Sequence, residues 1–326
     1  MDYPRIAVVG AGGLSSGRIY PYLGAAGAQL VGVCDLDLEK ATQNAARFGG
    51  RAYGDMADML DAETPDGVII CIGPEQHAAL APVALRRGLA VYTEKPPAPA
   101  AAAALQVARA AKEAGVLCMT GFKKRHNTAY TRAREWLAGF PPEDLYALSI
   151  DYASAHYRND TPRRSFLLDF ALHIIDLTPF LFGEVARVFC FAKGLDAYAV
   201  SLQFCNGAVG SLSLNDARSF SVPTEEVELS VRGGNFMTIH NSSSWRLTEA
   251  GLPTEWREPP TFTSSGDSGN DTGHLAELVD FVTALREART SSVSEISESY
   301  KSMVLFEAIR RSAAEGRVVD VVYEAV

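Results

Sequence analysis

The sequence is short of cysteine, which argues against a disulfide framework and a cysteine-based metal site. Five cysteines occur in 326 residues, and no two have the C-x-x-C spacing of a zinc or redox motif. Four of them, Cys34, Cys71, Cys118 and Cys190, lie in apolar runs typical of buried strands. We therefore expect reduced, buried thiols, a cytoplasmic location and no structural metal.

Long apolar runs and an excess of positive charge are also missing. No apolar stretch approaches the roughly 20 residues that a membrane-spanning helix requires. The formal net charge of −9 disfavours nucleic acids and anionic membranes as partners. The hydrophobic content of 47% and the charged content of 21% are those of a globular protein. The length favours two domains over one.

What the sequence does contain, within its first 35 residues, is the order of a dinucleotide-binding unit. A short apolar run leads into a glycine turn, Gly10 to Gly13, a helical pattern follows, and a second apolar run ends on Asp35. Gly10 permits a tight turn, and Gly12 leaves room for the backbone to approach a pyrophosphate. The unpaired N–H groups at the start of the following helix favour phosphate oxygens. This order predicts a bound dinucleotide and redox chemistry.

The acid at the end of the second strand favours NAD over NADP. Asp35 follows Gly12 by 23 positions, the spacing at which a carboxylate accepts hydrogen bonds from the adenosine ribose and repels a 2′-phosphate. Lys40 and Arg47 lie nearby in sequence, so NADP remains the alternative. Ser15 stands where the third glycine is usual, and its small side chain still permits close packing of helix on strand.

The two parts of the chain have different secondary-structure patterns. Up to about residue 120, strands and helices alternate, which predicts a parallel sheet with right-handed crossovers. Later, two-residue alternation with turns at Asn206-Gly207 and Gly233-Gly234 predicts antiparallel hairpins. Helical patterns over residues 274–289 and 295–314 close the chain, with Ser294 as a helix cap. We predict an α/β protein: an N-terminal Rossmann domain with a doubly wound parallel sheet, residues 1–122, and a C-terminal α+β domain with an open, mostly antiparallel sheet, residues 123–326.

A lysine follows one of the predicted parallel strands directly. The segment Glu94-Lys95-Pro96 comes after the strand Ala90–Thr93, and ligands bind at the carboxyl ends of strands in doubly wound sheets. Lys95 is therefore expected at the reactive end of the cofactor, where Pro96 would orient it. The alternative is a solvated surface lysine before a turn.

A second polar group lies on a predicted helix. Asp169, His173 and Asp176 have the i, i+4, i+7 spacing of one helix face. A carboxylate beside an imidazole raises its basicity and fixes its tautomer, as a general base for an alcohol proton requires. Two alternatives remain: a surface histidine satisfied by a capping aspartate, and a metal site, for which no further ligand has convincing spacing.

Taken in order, these motifs are similar to those of one enzyme family. The Gly10-x-Gly12 turn, Glu94-Lys95-Pro96, Gly121-Phe122 and the Asp169-to-Asp176 helix resemble the Gfo/Idh/MocA oxidoreductases over nearly the whole chain. The resemblance implies transfer of a hydride between NAD or NADP and a secondary alcohol of a sugar, sugar acid or cyclitol. It also implies a homodimer or homotetramer formed through the open sheet.

The resemblance further implies the roles of single residues. The expected catalytic residues are Lys95, Asp169 and His173. The expected cofactor contacts are Gly10, Gly12, Gly13, Leu14, Asp35, Ile72, His77, Glu94 and Lys95. The expected substrate contacts are Lys95, Lys123, Tyr157, Arg158, Arg164, Asp169 and His173. For His77, packing of its helix is the alternative.

The chain departs from the family pattern in three places. Pro162-Arg163-Arg164-Ser165 replaces the several glycines usual before the aspartate, Ala171 replaces a glycine, and the segment 123–126 is unusually basic. If Lys123, Arg158, Arg163 and Arg164 face the cleft, the substrate carries a carboxylate or phosphate. The alternative is a set of surface salt bridges.

Two other functions fit the same motifs. A non-catalytic regulator can bind a dinucleotide on this fold, but it has no need of Lys95, Asp169 and His173 together. An NAD-assisted lyase or glycosidase reduces and reoxidises its cofactor within one cycle. Net NADH production separates the dehydrogenase from both.

Overall fold

The computed structural model describes residues 3–155, 165–219, 222–258 and 272–326, and strands and helices alternate from residue 5 to residue 120. The elements of this part are β1 Arg5–Val9, α1 Gly13–Arg18, α2 Tyr20–Leu23, β2 Gln29–Cys34, α3 Leu38–Phe48, β3 Arg51–Tyr53, α4 Met56–Glu63, β4 Gly67–Ile70, α5 Pro74–Arg86, β5 Ala90–Thr93, α6 Ala101–Ala114 and β6 Cys118–Thr120.

The strands of this part form one parallel sheet in the order β3-β2-β1-β4-β5-β6. Successive side chains of a strand point to opposite faces, so Ile6 and Val8 join one buried cluster while Ala7 and Val9 join another. Helices α4, α5 and α6 supply the cluster that contains Ala7. The prediction of a doubly wound Rossmann sheet is confirmed.

The rest of the chain begins with a 3₁₀ turn at Lys123–His126 and contains a second sheet. Its elements are α7 Thr128–Leu137, β7 Leu145–Ala155, α8 Phe166–Asp169, α9 Leu172–Phe182, β8 Val185–Lys193, β9 Ala197–Phe204, β10 Val209–Arg218, β11 Thr224–Val231, β12 Asn235–His240, β13 Ser244–Thr248, β14 Glu255–Arg257, α10 His274–Glu287, α11 Ile296–Glu315 and β15 Val319–Asp320. None of the helices in the described ranges is both long and apolar enough to cross a lipid bilayer.

The chain forms two compact units, and one segment returns to the first of them. The first unit is Met1–Lys123 with Gly273–Tyr300 and Val326; the second is Lys124–Thr272 with Lys301–Ala325. The expected division into residues 1–122 and 123–326 misses this return. Its cause is helix α10, whose Leu278, Phe281 and Val282 are fully buried.

Helix α10 packs on a face of the parallel sheet that α2 and α3 also cover. Its apolar residues share a cluster with Ile69 on β4, Tyr92 on β5 and Met119 on β6. The rings of Tyr92 and Phe281 lie 5.9 Å apart. Burying a large apolar side chain stabilises a fold by roughly 1.5–3 kcal/mol. Burial of the apolar side chains of α10 therefore stabilises its packing on the sheet.

The second unit contains a nine-stranded sheet in the order β14-β13-β12-β11-β7-β10-β9-β8-β15. Within the described residues of this unit, only β7 and β10 pair in parallel, so the predicted mostly antiparallel sheet is confirmed. Gly207, Gly233 and Gly234 adopt positive φ at the two predicted hairpins, as glycine does readily.

The two faces of this sheet differ in exposure. One row of paired residues is buried: Val200, Leu212, Ile150, Val227 and Ile239. The next row faces solvent within the unit: Ser201, Ser211, Ser149, Glu228, Arg246 and Trp256. The predicted open sheet is therefore present.

One predicted helix cap is wrong. Helix α11 begins at Ile296, which puts its capping position at Glu295. The Ser294 hydroxyl instead donates to the Thr120 carbonyl at 2.7 Å, and the Thr120 N–H donates to the Ser294 carbonyl at 2.9 Å. Ser294 thus joins the return segment to β6.

Candidate active site

The first glycine of the N-terminal turn is required by the backbone. Gly10 has a φ of +107°, which side chains of L-residues rarely adopt. A Cβ at this position would lie 2.1 Å from the carbonyl oxygen of Cys71. The Gly10 N–H donates to the Cys34 carbonyl at 2.7 Å, and the Tyr20 hydroxyl donates to the Gly10 carbonyl at 2.9 Å. Gly10 therefore holds the turn against two neighbouring strands.

The second glycine of the turn faces open space. Gly12 has φ −79° and ψ −176°, a conformation open to any residue. Among the described residues, no atom lies within 4 Å of a Cβ built on Gly12 or Gly13. Ser15 is fully buried and its hydroxyl donates to the Gly12 carbonyl at 3.0 Å. The turn leaves the uncovered approach that a dinucleotide pyrophosphate needs.

The acid after β2 connects this turn to the neighbouring strand. Asp35 Oδ2 accepts from the Ala11 N–H at 2.7 Å, and Oδ1 accepts from the Asp37 N–H at 2.9 Å. A carboxylate has about four acceptor positions, so Asp35 keeps capacity for a ribose hydroxyl. Lys40 pairs with Asp37 at 3.1 Å, which partly neutralises one of the cations that favoured NADP.

The two glycines predict opposite results of substitution. We expect Gly12→Val to leave the melting temperature within about 2 °C of wild type, because the position is roomy and unstrained, and to weaken NAD binding at least about tenfold. Gly10→Ala should destabilise the fold itself, because its Cβ meets backbone. Thermal unfolding and calorimetric NAD titration measure both; a Gly12→Val protein that binds NAD normally would contradict the assignment.

The lysine after β5 lies in a tightly built loop. Lys95 is half-buried, and its own N–H donates to Glu94 Oε2 at 3.1 Å. Glu94 is 5% exposed. Burial raises the pKa of Glu94, while the charges of Lys95 and Lys123 oppose that rise. The Lys95–Pro96 peptide bond is cis. These contacts fix the backbone that carries the amine.

The ring of His77 is buried and hydrogen-bonded on both nitrogens, and its expected contact with the cofactor stays a prediction. Its ring is 1% exposed. The Ile72 N–H donates to Nε2 at 3.2 Å, and Nδ1 lies 2.7 Å from the Pro96 carbonyl oxygen, which assigns the proton to Nδ1. Burial lowers the pKa of His77 to about 4, so the ring is neutral near pH 7. Both ring nitrogens are used, and His77 joins the loops after β4 and β5.

Two apolar side chains project at the carboxyl end of the same sheet. Leu14 follows the glycine turn and Ile72 follows β4, and each is about half exposed within the unit. Exposed apolar side chains beside an open turn suit contact with a flat, mostly apolar ring. Their contact with the cofactor stays a prediction.

The predicted single helix from Asp169 to Asp176 is interrupted. Helix α8 ends at Asp169 and α9 begins at Leu172. Between them the Ala171 N–H donates to the Phe166 carbonyl five residues earlier, and the His173 N–H donates to the Phe170 carbonyl three residues earlier. A turn closed over five residues and then one closed over three replace the regular four-residue turns of an α-helix. His173 is therefore rotated relative to Asp169. Such irregular turns recur at functional sites.

The predicted polar stripe therefore divides in two. Asp169 and His173 are half-buried, whereas Asp176 is fully buried. Its two carboxylate oxygens each accept from Arg125 at 2.8 Å, and Oδ1 also accepts from the Ser302 hydroxyl at 2.7 Å. Apart from His173 and Pro179, every residue of α9 is buried. Asp176 thus anchors the helix, and His173 is its accessible polar residue.

Much of the basic segment is structural. Lys124 pairs with buried Glu225 at 2.5 Å, Arg125 pairs with Asp176, and Arg132 pairs with Glu255 at 2.7 Å. Lys123 is half-buried and acts electrostatically on Glu94. The other expected substrate contacts and basic residues lie outside the described residues: Tyr157, Arg158, Arg163 and Arg164.

Sequence reasoning missed two residues of the first unit near Lys95. His274 and Glu277 lie on the first turn of α10 and are 8% and 1% exposed. Burial, together with the charges of Lys123, Arg18 and Lys95, lowers the pKa of His274 to about 3. A single glutamate in a helical pattern gives no signal of burial, so only the return of α10 reveals them.

Comparison with known families matches both units. The model of the oxidoreductase family's NAD-binding Rossmann fold matches residues 4–122, and the model of its C-terminal alpha/beta domain matches residues 156–321, more than half of the chain. The chain belongs to the Gfo/Idh/MocA oxidoreductase family. This Gfo/Idh/MocA protein therefore has an NAD-binding domain at its N-terminus, as the motifs predicted.

Individual relatives agree with the family. D-apiose dehydrogenase of Paraburkholderia graminis is 27% identical, covering 96% of this chain and 88% of that protein. Inositol 2-dehydrogenase 4 of Saccharopolyspora erythraea is 29% identical over 55% of this chain and 54% of that protein. An oxidoreductase of Agrobacterium radiobacter, solved with NAD+, L-tartaric acid and magnesium, shares the fold: its TM-score is 0.85 at 19% identity, over 98% of this chain and 99% of that one.

Proposed function

We propose that the protein is an NAD-dependent dehydrogenase of a secondary alcohol on a sugar, sugar acid or cyclitol. The observation that carries this proposal is the fixed loop after β5: Lys95 stands between a buried carboxylate and Pro96, at the carboxyl end of the NAD-binding sheet. NAD, when bound, accepts a hydride from the carbinol carbon. The protonated amine of Lys95 stabilises the negative charge that develops on the carbinol oxygen and holds the nicotinamide ribose.

His173 is proposed as the general base. It is half-buried on a helix whose other polar side chains, Asp176 and Thr178, are fully buried. Asp176 fixes that helix through a buried ion pair. A neutral imidazole is a proton acceptor of the strength that a general base for an alcohol requires. Asp169, also half-buried, orients the imidazole or contacts the substrate. His173 takes the hydroxyl proton as the hydride leaves.

Asp35 supports the choice of NAD over NADP. Both of its carboxylate oxygens are held by backbone N–H groups, so the negative charge stays at the ribose end of the site. The next residue, Leu36, is 97% exposed and carries no charge that would receive a 2′-phosphate. We propose that NAD binds more tightly than NADP, which parallel calorimetric titrations measure.

The substrate class is proposed from relatives and from charge. Relatives named as D-apiose dehydrogenase and inositol 2-dehydrogenase act on polyhydroxylated compounds. The half-buried Lys123 adds a second cation near Lys95, which favours an acidic sugar. Tyr157, Arg158 and Arg164 remain proposed substrate contacts. They lie outside the described residues.

A cofactor-reduction panel tests the proposal. The protein is incubated with NAD+ and matched pairs of neutral sugars and their acids, together with inositols, and NADH is followed by absorbance. We expect NADH in excess of enzyme with at least one member. Substrate conversion without net NADH would favour the lyase, and NAD binding without any conversion would favour the regulator.

We also propose that copies of the chain associate through the open face of the nine-stranded sheet. The exposed row there contains the small residues Ser149, Ser201 and Ser211 at its centre, and small side chains permit close approach of two flat sheets. Phe191 on the same sheet is 70% exposed. Light scattering after size-exclusion chromatography should give a dimer or tetramer; a monomer would contradict it.

The thiols support the proposed cytoplasmic location. All five cysteines are free, and Cys34, Cys71, Cys118 and Cys190 are buried. Burial raises the pKa of Cys34 to about 11 and that of Cys118 to about 12, so these thiols stay protonated. Thiol titration of the unfolded protein should find all five reduced.

A further inference from the structure

A buried group of three ionisable residues lies behind the Lys95 loop, within the first unit. Tyr92, Glu94 and Glu277 are 0%, 5% and 1% exposed. The Tyr92 hydroxyl is 3.5 Å from Glu94 Oε1 and also interacts with Glu277. A Cβ on Gly121 would lie 2.4 Å from the Tyr92 hydroxyl and 3.2 Å from Glu94 Cδ. Tyr92 and Glu94 therefore pack directly against Gly121, where any side chain would collide with them.

The number of protons in this group is limited. The tyrosine hydroxyl has one proton to donate and also accepts, so it donates to only one of two carboxylates. Two carboxylates close together in an apolar interior repel each other, and one of them takes up a proton. Glu94 acts electrostatically on Glu277, so we expect one of the two acids to be neutral.

The contacts decide which acid is neutral. Glu94 accepts the Lys95 N–H at 3.1 Å and is stabilised as an anion by the charges of Lys95 and Lys123. The Glu277 carboxyl interacts with the Tyr92 hydroxyl, but neither of its oxygens has an aligned hydrogen bond with a described residue. Burial, reinforced by the charge of Glu94, raises the pKa of Glu277 well above its usual range.

We propose that Glu277 is a positioning residue for Lys95 that works as a neutral acid. The Glu277 carboxyl donates toward the Tyr92 oxygen, the Tyr92 hydroxyl donates to Glu94, and Glu94 carries the negative charge that interacts with Lys95 and Lys123. Glu277 touches no reacting group; it keeps Glu94 ionised and in place. The kinetic consequence rests on the proposed dehydrogenase function.

The charged and titratable surroundings are consistent with one negative charge. Glu94, Tyr92, Lys123 and Cys71 act electrostatically on Glu277 or respond to it. Burial raises the pKa of the Cys71 thiol, so this thiol is neutral. His274, at the start of the same helix, is also neutral, because its pKa is lowered to about 3. Of Glu94, Tyr92, Lys123 and Cys71, Lys123 is the one that carries a positive charge. The negative charge of Glu94 compensates it.

A lysine titration tests the charge of Glu277 without any substrate. The full-length protein is reductively methylated with ¹³C-formaldehyde, and the dimethyl-Lys95 signal, assigned with Lys95→Arg, is titrated by NMR. Glu94→Gln should lower the pKa of Lys95 by about one unit or more, because it removes a nearby charge. Glu277→Gln should leave it within about 0.3 unit, because it replaces a neutral acid with a neutral amide. A drop in Glu277→Gln as large as in Glu94→Gln would overturn the proposal.

Turnover tests the positioning role. Glu277→Leu, which removes the donor, should lower kcat about tenfold, and Glu277→Gln should restore turnover to within about threefold of wild type. Tyr92→Phe should behave like Glu277→Leu and serves if the leucine variant fails to fold. Leu278→Ala, on the same buried helix, should lower the melting temperature and leave the Lys95 titration unchanged.

The outcomes separate this proposal from the proposed function. Equal turnover in Glu277→Leu and Glu277→Gln overturns the positioning role. If the wild-type protein reduces no NAD with any alcohol, the dehydrogenase proposal fails, while the NMR titration still decides the charge of Glu277.

Discussion

Replacing His173 by alanine is expected to lower kcat about 10²- to 10⁴-fold, the usual contribution of a positioned general base. The Kd for NAD should stay within about twofold of wild type, because the expected NAD contacts lie in the other unit of the chain. The rise of kcat/KM with pH that reports deprotonation of the base should disappear in the variant. Initial rates across pH 5 to 10 and a calorimetric titration measure these effects.

His240→Ala is the matched control for this variant. His240 lies on β12, and its side chain is exposed and 3.8 Å from Glu226. Like His173, it is a histidine of the second unit, but it has no role in the proposed mechanism. His240→Ala should keep the turnover and pH profile of wild type. Wild-type turnover in His173→Ala would remove His173 from the mechanism.

Replacing Asp176 by alanine should destabilise the protein by about 3–5 kcal/mol, because it leaves the buried Arg125 guanidinium without its counter-charge. Asp176 and Arg125 are fully buried or nearly so, and two hydrogen bonds of 2.8 Å join them. The Ser302 hydroxyl loses its acceptor in the same variant. Chemical denaturation measures the change in the free energy of unfolding.

An exposed ion pair of the same geometry provides the control. Arg132 and Glu255 are joined by hydrogen bonds of 2.9 and 2.7 Å, but both side chains are partly exposed. Arg132→Ala, which leaves the bond from Trp245 to Glu255 intact, should cost less than about 1 kcal/mol, as exposed pairs do. Similar losses in the two variants would show that burial does not set the strength of the Arg125–Asp176 pair.

Local patterns in the sequence were sufficient for most of the fold. Glycine turns, hairpin dipeptides and apolar runs each depend on neighbouring residues, so Gly10, Gly207 and Gly233 mark turns that the structure contains. The return of α10 depends on something else. It packs on a face of the parallel sheet that α2 and α3 also cover. Its partners there are distant in sequence, so no local pattern predicts the contact.

The candidate site was predicted in its residue types and not in its geometry. An i, i+4, i+7 pattern assumes an uninterrupted helix, so it grouped Asp176 with Asp169 and His173. The irregular turn at Phe170 and Ala171 breaks that assumption. A buried ion pair and a catalytic stripe also look the same in sequence, since both place charges at helical spacing. Only burial distinguishes them.

Transfer of deuterium from an alcohol carbon to the cofactor tests the central claim most directly. The protein is incubated with NAD+ and sugars, sugar acids or inositols deuterated at the carbinol carbons, and the cofactor is examined by NMR. We predict that deuterium appears at C4 of the reduced nicotinamide ring, in amounts above the enzyme concentration, and that the transfer slows in His173→Ala. Deuterium that stays in the converted substrate, with the cofactor still oxidised at the end, would contradict a dehydrogenase.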